Sequence, residues 1–431
     1  MFEITFLRHG ESVGNRDGYH QGQHDFPLTP TGEAQAQALG QYWRDHTVRF
    51  DQLITSPLAR ARQTAEIVGQ ALGLAPVVDP LWTERHNGIL QGLSYAEGQA
   101  VHPRPDFITP YDPIGKTGES QWQLYLRTGK ALQKLLRGEP GRYLVVSHGG
   151  LFNILMHILT GIMPQADFRG VRFPFENTAF TITKYDPQHH TWQIVTHNTR
   201  PHLPPDLPFA GSPYRFSFLR HGQSEGNLKR VFQGQADFPL SENGHREIAL
   251  LAEDWLTRGI TFDKIIASPL ARARQTAETL AQALDLEIEF DDKWKEIDNG
   301  EMAGLNDAEI QARFPNPNGQ FGIFDPLGNT GESWWDLHLR AGELVQKLLL
   351  RPPGNYLIVS HGTLLNYVMR AIVGVHSPAY QVDHQTPWFR FGNTGYAQVA
   401  YESQNHTWFV QRIGMRGHLQ NSNSQGETGD S

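Results

Sequence analysis

Apolar positions along the chain form short continuous runs that alternate with longer stripes of helical spacing. Residues 2–8, 52–55 and 143–147 are such runs, and they predict strands. Val77 and Val78 indicate a further, shorter strand. Directly after the run at 143–147, apolar residues recur at every third or fourth position, which predicts a packed helix through Leu151, Ile154, Leu155, Ile158 and Leu159.

Local start signals predict three more helices between these runs. Thr29 stands before a Pro-Thr-Gly-Glu segment and predicts the N-cap of a helix that starts there and continues through residues 34–44. Pro57 predicts the first turn of a helix over residues 57–72, and residues 119–136 also have helical spacing. Strands and helices that alternate in this way form a mostly parallel sheet covered on both faces. The sequence therefore predicts an α/β fold, a three-layer α/β/α sandwich.

The same pattern occurs twice. Residues 6–15 return with few changes at 218–227, and residues 56–64 return unchanged at 268–276. The Ser-His-Gly segment around His148 likewise has a counterpart around His361. Because these segments keep their order, we predict one fold duplicated in tandem.

The composition of two segments predicts the domain boundaries. Residues 200–213 are rich in proline and lack periodicity, as expected of a semi-rigid linker. This places a first domain at residues 1–199 and a second at 214–418. Residues 419–431 are too polar to be buried and are expected to be disordered.

Composition also excludes several classes of function. The 431 residues include no cysteine, which rules out disulfides, thiolate zinc sites and cysteine nucleophiles. A formal net charge of −8 argues against a nucleic-acid partner. No apolar run is long enough to cross a bilayer, so no membrane partner is expected. A strand that begins at Phe2 leaves no space for a signal segment, which favours a cytoplasmic location.

Candidate catalytic residues follow the predicted strands. His9 and His148 stand at strand ends, where open α/β sheets bind their ligands, and Arg60 lies near a helix start that can reach the same edge. Cleavage of a phosphate ester needs a nucleophile, groups that hold the phosphoryl oxygens and a proton for the leaving oxygen. The candidates in the first half are His9 as nucleophile, Arg8, Arg60, His148 and Asn15 as phosphate-binding groups, and Glu84 as proton donor.

These motifs resemble those of the histidine phosphatase, or phosphoglycerate-mutase-like, superfamily. The resemblance covers both halves, so it extends to equivalent residues in the second half, namely His221, Arg220, Arg272, His361, Asn227 and Glu296. It implies that His9 and His221 become phosphorylated, that the arginines and second histidines bind phosphate, and that Glu84 and Glu296 supply protons.

The resemblance carries further implications for ligands. It implies that no metal ion or organic cofactor takes part. It also implies that a loop approaches the substrate at Gln21, Gly22, Gln233 and Gly234. The expected activity is hydrolysis of small phosphorylated metabolites by cofactor-independent phosphatase domains.

Three alternative functions remain open. The chain could transfer phosphate as a mutase, although residues 84–148 lack the adjacent arginine pair that mutases use for a second acidic group. One half could instead be a regulatory module that binds a phosphoanion. Ser12 and Ser224 lie in Gly-x-Ser-x-Gly segments, which also occur in serine hydrolases.

Overall fold

The computed structural model describes residues 1–204, 212–314, 321–374 and 388–419. These residues divide into two compact units, one ending at residue 204 and the other beginning at residue 212. Residues 205–211 of the predicted linker and residues 420–431 of the predicted tail lie outside the described residues.

The first unit contains seven strands and six α-helices among its described residues. Its strands are β1 Phe2–Arg8, β2 Gln52–Thr55, β3 Pro76–Val78, β4 Arg142–Ser147, β5 Gly170–Arg172, β6 Phe180–Asp186 and β7 Thr191–Thr199. Its helices are Val13–Arg16, Pro30–Asp45, Ala59–Leu72, Tyr95–Val101, Gln121–Leu136 and Gly149–Thr160.

The second unit repeats this order of elements. Its described strands are β8 Tyr214–Arg220, β9 Lys264–Ala267, β10 Ile288–Phe290, β11 Gly354–Ser360, β12 Trp388–Phe389, β13 Tyr396–Glu402 and β14 Thr407–Met415. Its described helices are Glu225–Leu228, Glu242–Thr257, Ala271–Leu284, Asp307–Arg313, Trp334–Leu349 and Gly362–Val373.

Each unit is built on a mixed sheet. In the first unit the strand order is β3-β2-β4-β1-β6-β7, with parallel pairs up to β1 and antiparallel pairs from β1 to β7. The order β10-β9-β11-β8-β13-β14 repeats this arrangement in the second unit. The predicted α/β class is therefore confirmed, and each mostly parallel sheet ends in an antiparallel hairpin.

Helices cover both faces of the first sheet. Leu7 faces one side, where it belongs to an apolar cluster with Trp43 and Val68 of two helices. The neighbouring Phe6 faces the other side and packs against Phe152 and Trp82, with ring centroids 5.6 and 6.1 Å away. Each such fully buried side chain contributes roughly 1.5–3 kcal/mol to stability. The three-layer arrangement thus follows from the alternation of side chains along β1.

One predicted helix starts later than its local signal indicated. The helix expected from Pro57 begins at Ala59, because Leu58 keeps an extended backbone. The first backbone N–H of that helix is capped by Asp25, whose Oδ1 accepts from Ala59 N at 2.6 Å. A carboxylate from a distant loop therefore determines this helix start, and no local residue indicates it.

Strand register brings the histidine motifs together. β1 and β4 pair in parallel with Arg8 opposite Ser147, so His9 and His148 leave the sheet side by side. In the second unit Arg220 lies opposite Ser360 in the same way. The carboxyl ends of parallel strands meet at one sheet edge, which is where this fold class places ligands.

A close backbone crossing fixes the loop that follows His9. A Cβ on Gly32 would lie 2.0 Å from the Glu11 carbonyl oxygen, and a Cβ on Gly10 would lie 2.5 Å from the Gly32 oxygen. The same crossing occurs in the second unit, where a Cβ on Gly244 would lie 2.0 Å from the Gln223 oxygen. Glycine is therefore required on steric grounds at the start of helix Pro30–Asp45.

We expect Gly32→Ala to lower the free energy of unfolding of the first unit by about 2–3 kcal/mol, because the loop after His9 would have to move. Gly129→Ala is the matched control, since a Cβ there would meet its nearest neighbour, Ile158 Cδ1, at 4.0 Å. That variant should gain up to about 1 kcal/mol from better helix propensity. Equal denaturant midpoints for the two variants would contradict this interpretation.

Candidate active site

The nucleophile candidate His9 is held in one tautomer. Its side chain is 2% exposed, and Nδ1 lies 2.7 Å from the Gly10 carbonyl oxygen. Because a carbonyl oxygen can only accept, Nδ1 carries the proton and Nε2 keeps its lone pair. His221 has the same bond to the Gly222 oxygen at 2.7 Å. Both histidines therefore keep a lone pair on Nε2.

Burial and neighbouring cations keep both histidines neutral. The pKa of His9 lies well below its ordinary value, first because of burial and then because of Arg60 and Arg8. Burial, Arg272 and Arg220 lower the pKa of His221 in the same way. An unprotonated imidazole is the form that can act as a nucleophile.

Arg60 is the most buried cation of the first pocket. Its guanidinium donates from Nη1 to the His24 oxygen at 3.0 Å and from Nη2 to the Gly22 oxygen at 2.7 Å. Burial lowers the pKa of Arg60 to about 10, so it stays charged at neutral pH. The loop carbonyls thus aim the guanidinium without neutralising it.

Arg272 occupies the equivalent place in the second unit. It donates to the Gly234 oxygen at 2.7 Å and to the Ala236 oxygen at 2.9 Å. Its Nε also donates to His221 Nε2 at 3.2 Å. This last bond requires a lone pair on Nε2, in agreement with the tautomer assigned from Gly222.

The second histidine faces the first across the pocket. The ring centroids of His9 and His148 are 5.1 Å apart, and those of His221 and His361 are also 5.1 Å apart. His148 is completely buried, and burial followed by Arg60, His9 and Arg8 lowers its pKa well below the ordinary value. It therefore takes part as a neutral ring.

Unpaired nitrogen atoms line the first pocket. Among the described residues, Arg8 Nε, Arg60 Nε and His148 Nδ1 are buried without a hydrogen-bond partner. Buried polar groups in proteins are normally paired, so three such atoms around one imidazole indicate a site for an oxygen-rich anion.

Asn15 completes the pocket from the loop after β1. Its Oδ1 accepts from Ser12 N and from Asn177 Nδ2, each at 3.2 Å, which leaves its amide nitrogen to donate to a ligand. Asn177 also donates to the His9 carbonyl oxygen at 3.0 Å. Asn227 and Asn393 repeat this pair in the second unit, with a 3.2 Å bond.

Ser12 has a structural role in this site. Its hydroxyl lies 2.9 Å from Asn15 Oδ1 and 2.7 Å from Gln21 Oε1, and it caps the helix Val13–Arg16. Ser224 makes the equivalent contacts with Asn227 and Gln233. A fully buried capping hydroxyl that, among the described residues, has amide side chains and no histidine as hydrogen-bond partners does not match a serine nucleophile.

The loop residues expected near substrate contact the pocket's own side chains. Gln21 binds Ser12, and the Gly22 carbonyl oxygen binds Arg60. In the second unit the Gln233 side chain and the Gly234 oxygen have the same partners, Ser224 and Arg272. These contacts connect the loop in each unit to the buried serine and arginine of the candidate site.

The carboxylate of Glu84 lies against the first turn of the helix that follows His148. Its two oxygens accept backbone N–H groups of Arg85, Gly150 and Leu151 at 2.8–2.9 Å. Glu296 accepts from its own three amides at 2.9–3.0 Å. Such bonds fix both carboxylate oxygens at the start of the helix that directly follows the second histidine.

Comparison with known proteins identifies the family. The model of the histidine phosphatase superfamily (branch 1) matches residues 4–200 and, separately, residues 216–413. The chain belongs to this superfamily. The match to each unit confirms the resemblance drawn from the motifs.

Three similar proteins each match less than half of this chain. Probable phosphoglycerate mutase GpmB of Photorhabdus laumondii is 32% identical over 197 residues, 44% of this chain and 88% of the relative. Uncharacterized phosphatase PhoE of Bacillus subtilis is 31% identical over 205 residues, 47% of this chain and 97% of the relative. A solved mycobacterial glucosyl-3-phosphoglycerate phosphatase is 27% identical, with a TM-score of 0.37, and covers 43% of this chain and 93% of its own.

An arginine that the motifs did not single out holds the Glu84 loop. Arg127 donates to the carbonyl oxygens of Leu81, Thr83 and Glu84 and forms a two-bond ion pair with Glu119. Arg340 repeats the arrangement around Glu296, with Glu332 as its partner. The available signal was repetition, because the Glu-Arg pair recurs at the same spacing in both halves.

The described residues contain neither a candidate metal-binding cluster nor a candidate membrane-spanning helix. Within them, no three histidine, aspartate or glutamate side chains are grouped so as to hold a metal ion. In that same part of the chain, no helix is both long and apolar enough to cross a membrane.

We expect stability to fall as the pH drops below about 6.5. The pKa of His9, His148, His221 and His361 is lowered well below 6.5 in the folded protein, so the unfolded chain binds more protons in that range. At about pH 5 each of these histidines should lower the free energy of unfolding by up to about 2 kcal/mol relative to neutral pH. His148→Gln should therefore show a shallower decline than wild type in denaturant titrations at the two pH values. An equal loss of unfolding free energy between the two pH values in wild type and His148→Gln would contradict the lowered pKa of His148.

Proposed function

We propose that each unit hydrolyses phosphomonoesters of small metabolites through a phosphohistidine formed on His9 or His221. The observation that carries this proposal is made in the first unit: a neutral His9 imidazole with a lone pair on Nε2 has Arg8, Arg60 and His148 as neighbours, and each of these has a buried nitrogen atom without a partner among the described residues. A phosphoryl group supplies both an electrophile for the lone pair and oxygens for the unpaired nitrogens.

In the first step the His9 Nε2–P bond forms while the ester P–O bond breaks. Positive charge then develops on the ring, and the Gly10 carbonyl oxygen at Nδ1–H stabilises it. Arg8, Arg60 and His148 hold the phosphoryl oxygens as charge redistributes among them. The leaving oxygen takes a proton from Glu84.

In the second step water attacks phosphorus and the P–Nε2 bond breaks. Glu84 receives the proton of that water, and its bonds to three backbone amides hold the carboxylate in place for this role. For the first step it must already hold a proton. The proton that Glu84 takes from water in the second step meets this requirement for the next cycle.

Equivalent geometry in both units favours two catalytic sites over one site and a regulatory module. The tautomer bond, the 5.1 Å ring separation and the three amide bonds to the carboxylate are present in each. Relatives include a phosphatase and probable mutases by name, and both reactions share the first step. We favour water as the acceptor, since residues 84–148 lack the adjacent arginine pair that is typical of mutases.

We further propose that the two sites prefer different leaving groups. Arg85 and Ile297 occupy the same place, because each donates its backbone N–H to the catalytic carboxylate, at 2.8 and 2.9 Å. His20 and Phe232 also correspond, since each donates its N–H to a loop carbonyl at 2.8 Å, that of Leu93 or Leu305. The first site thus has polar, cationic residues where the second has apolar ones.

A third exchange follows the same trend. Arg172 and Trp388 each precede a phenylalanine whose N–H donates to an asparagine side chain at 2.8 Å. Arg172 lies within electrostatic range of Arg85 and Arg104, and Arg85 lies within range of His20. This cationic cluster fits an ester that carries a second acidic group, and phosphoglycerate, the compound named in several relatives, is one. The second site fits an apolar or aromatic ester.

We expect His9→Ala and His221→Ala each to remove the turnover of one unit, and the double variant to lose at least about 10³-fold of total phosphate release. Rapid quenching at alkaline pH should trap one phosphohistidine per intact site. Full activity in either single variant would show that the mutated site is not catalytic. Conversion of substrate to an isomeric ester without phosphate release would identify a mutase.

The leaving-group proposal is tested with one site silenced. In a His221→Ala background, Arg85→Ile should lower kcat/KM about tenfold or more for 3-phosphoglycerate and leave phenyl phosphate unchanged, because a charged contact to the leaving group is lost. Arg62→Ile is the control, since it removes the same charge from an exposed helix position paired with Glu66. An equal loss for both esters would contradict a leaving-group role for Arg85.

A further inference from the structure

A buried serine contacts the second histidine in each unit. Ser56 follows β2 and is completely buried, and its Oγ lies 2.8 Å from His148 Nε2. Ser268 lies 2.8 Å from His361 Nε2 in the same arrangement. Both serines belong to the segment that recurs unchanged in the two halves, yet neither touches the nucleophile in the hydrogen-bond pattern.

The direction of this hydrogen bond follows from the position of the hydroxyl proton. Ser56 Oγ already accepts the backbone N–H of Leu58 at 3.3 Å. Its own proton needs an acceptor, and His148 Nε2 is the acceptor beside it among the described residues. If Nε2 carried a proton instead, the buried hydroxyl would have no acceptor, which costs about 1–3 kcal/mol.

The opposite ring nitrogen must then carry the proton of the neutral ring. His148 Nδ1 is buried and has no hydrogen-bond partner among the described residues, and His361 Nδ1 is in the same state. The His148 ring centroid lies 5.1 Å from that of His9. An unpaired N–H donor at this distance suits an oxygen of the phosphoryl group that His9 receives.

We propose that Ser56 and Ser268 are positioning residues that hold His148 and His361 as Nδ1–H tautomers, so that each ring donates a hydrogen bond to a phosphoryl oxygen. This proposal rests on the proposed phosphatase function. Both histidines of a site then share one tautomer but present opposite ring edges. The carbonyl oxygen beside His9 Nδ1 leaves a lone pair on Nε2 for phosphorus. The hydroxyl beside His148 Nε2 leaves an N–H donor at Nδ1.

A direct test measures the tautomer without any activity. The full-length protein, labelled with ¹⁵N in its histidine rings, should show His148 with a protonated Nδ1 and an unprotonated Nε2 at neutral pH, because Ser56 donates to Nε2. Loss of the signals in His148→Gln assigns them. A proton on Nε2 would overturn the proposal, and this result would leave the role of His9 untouched.

A second test measures the consequence for phosphate binding in a His221→Ala background. Ser56→Ala should weaken binding of inorganic phosphate about tenfold and lower kcat by a similar factor, because the donor tautomer is no longer enforced. The ring of His148 should also show the Nε2–H form in the same ¹⁵N spectra. Ser56→Thr keeps the hydroxyl and should restore both properties.

Ser147→Ala supplies the matched control for these measurements. Ser147 is equally buried and adjacent to His148, but its hydroxyl donates to the Trp82 carbonyl oxygen at 2.6 Å. This variant should keep wild-type phosphate affinity and the Nδ1–H tautomer. Phosphate affinity and kcat within about twofold of wild type in folded Ser56→Ala would overturn the proposal.

Discussion

The parallel pairing of β1 with β4 is the constraint on which each site depends. With Arg8 opposite Ser147, the two strands end together and release His9 and His148 from one sheet edge. The close crossing at Gly32 then holds the loop after His9 against a helix start. A slip of one residue in this register would turn one histidine to the opposite face of the sheet, so the sheet core and the site are specified together.

Around that edge, hydrogen bonds to backbone carbonyl oxygens hold the charged side chains and loops of the sites in place. Arg127 donates to three carbonyl oxygens of the segment that carries Glu84, and the carbonyl oxygens of Gly22 and His24 aim Arg60. Because these supports use backbone atoms, they are independent of the side chains that would contact a leaving group. The second unit therefore keeps the same catalytic frame while it exchanges residues such as Arg85 for Ile297 at the rim.

Much of the molecule could be predicted because its signals are local. Short apolar runs alternating with apolar positions at helical spacing predicted the α/β class. Repetition of the motifs predicted the tandem arrangement, and the motifs themselves indicated the residues that gather at the sheet edge. Where a partner comes from elsewhere in the chain, local signals failed. The helix expected at Pro57 begins at Ala59 because Asp25 caps it, and Arg127 was missed because its targets are mostly backbone carbonyls.

Residue identity alone established that two histidines, two arginines and a glutamate recur in each half. Tertiary structure decided what each one does, because protonation and hydrogen-bond direction depend on neighbours that only folding supplies. Ser56 and His148 are 92 residues apart in the chain, yet the proposed hydrogen bond from the Ser56 hydroxyl to His148 Nε2 makes Nδ1 the donor of the His148 ring. The Gly10 carbonyl oxygen holds the proton of His9 on Nδ1, which leaves the lone pair on Nε2. Burial beside Arg60 keeps the ring neutral because it lowers the pKa of His9.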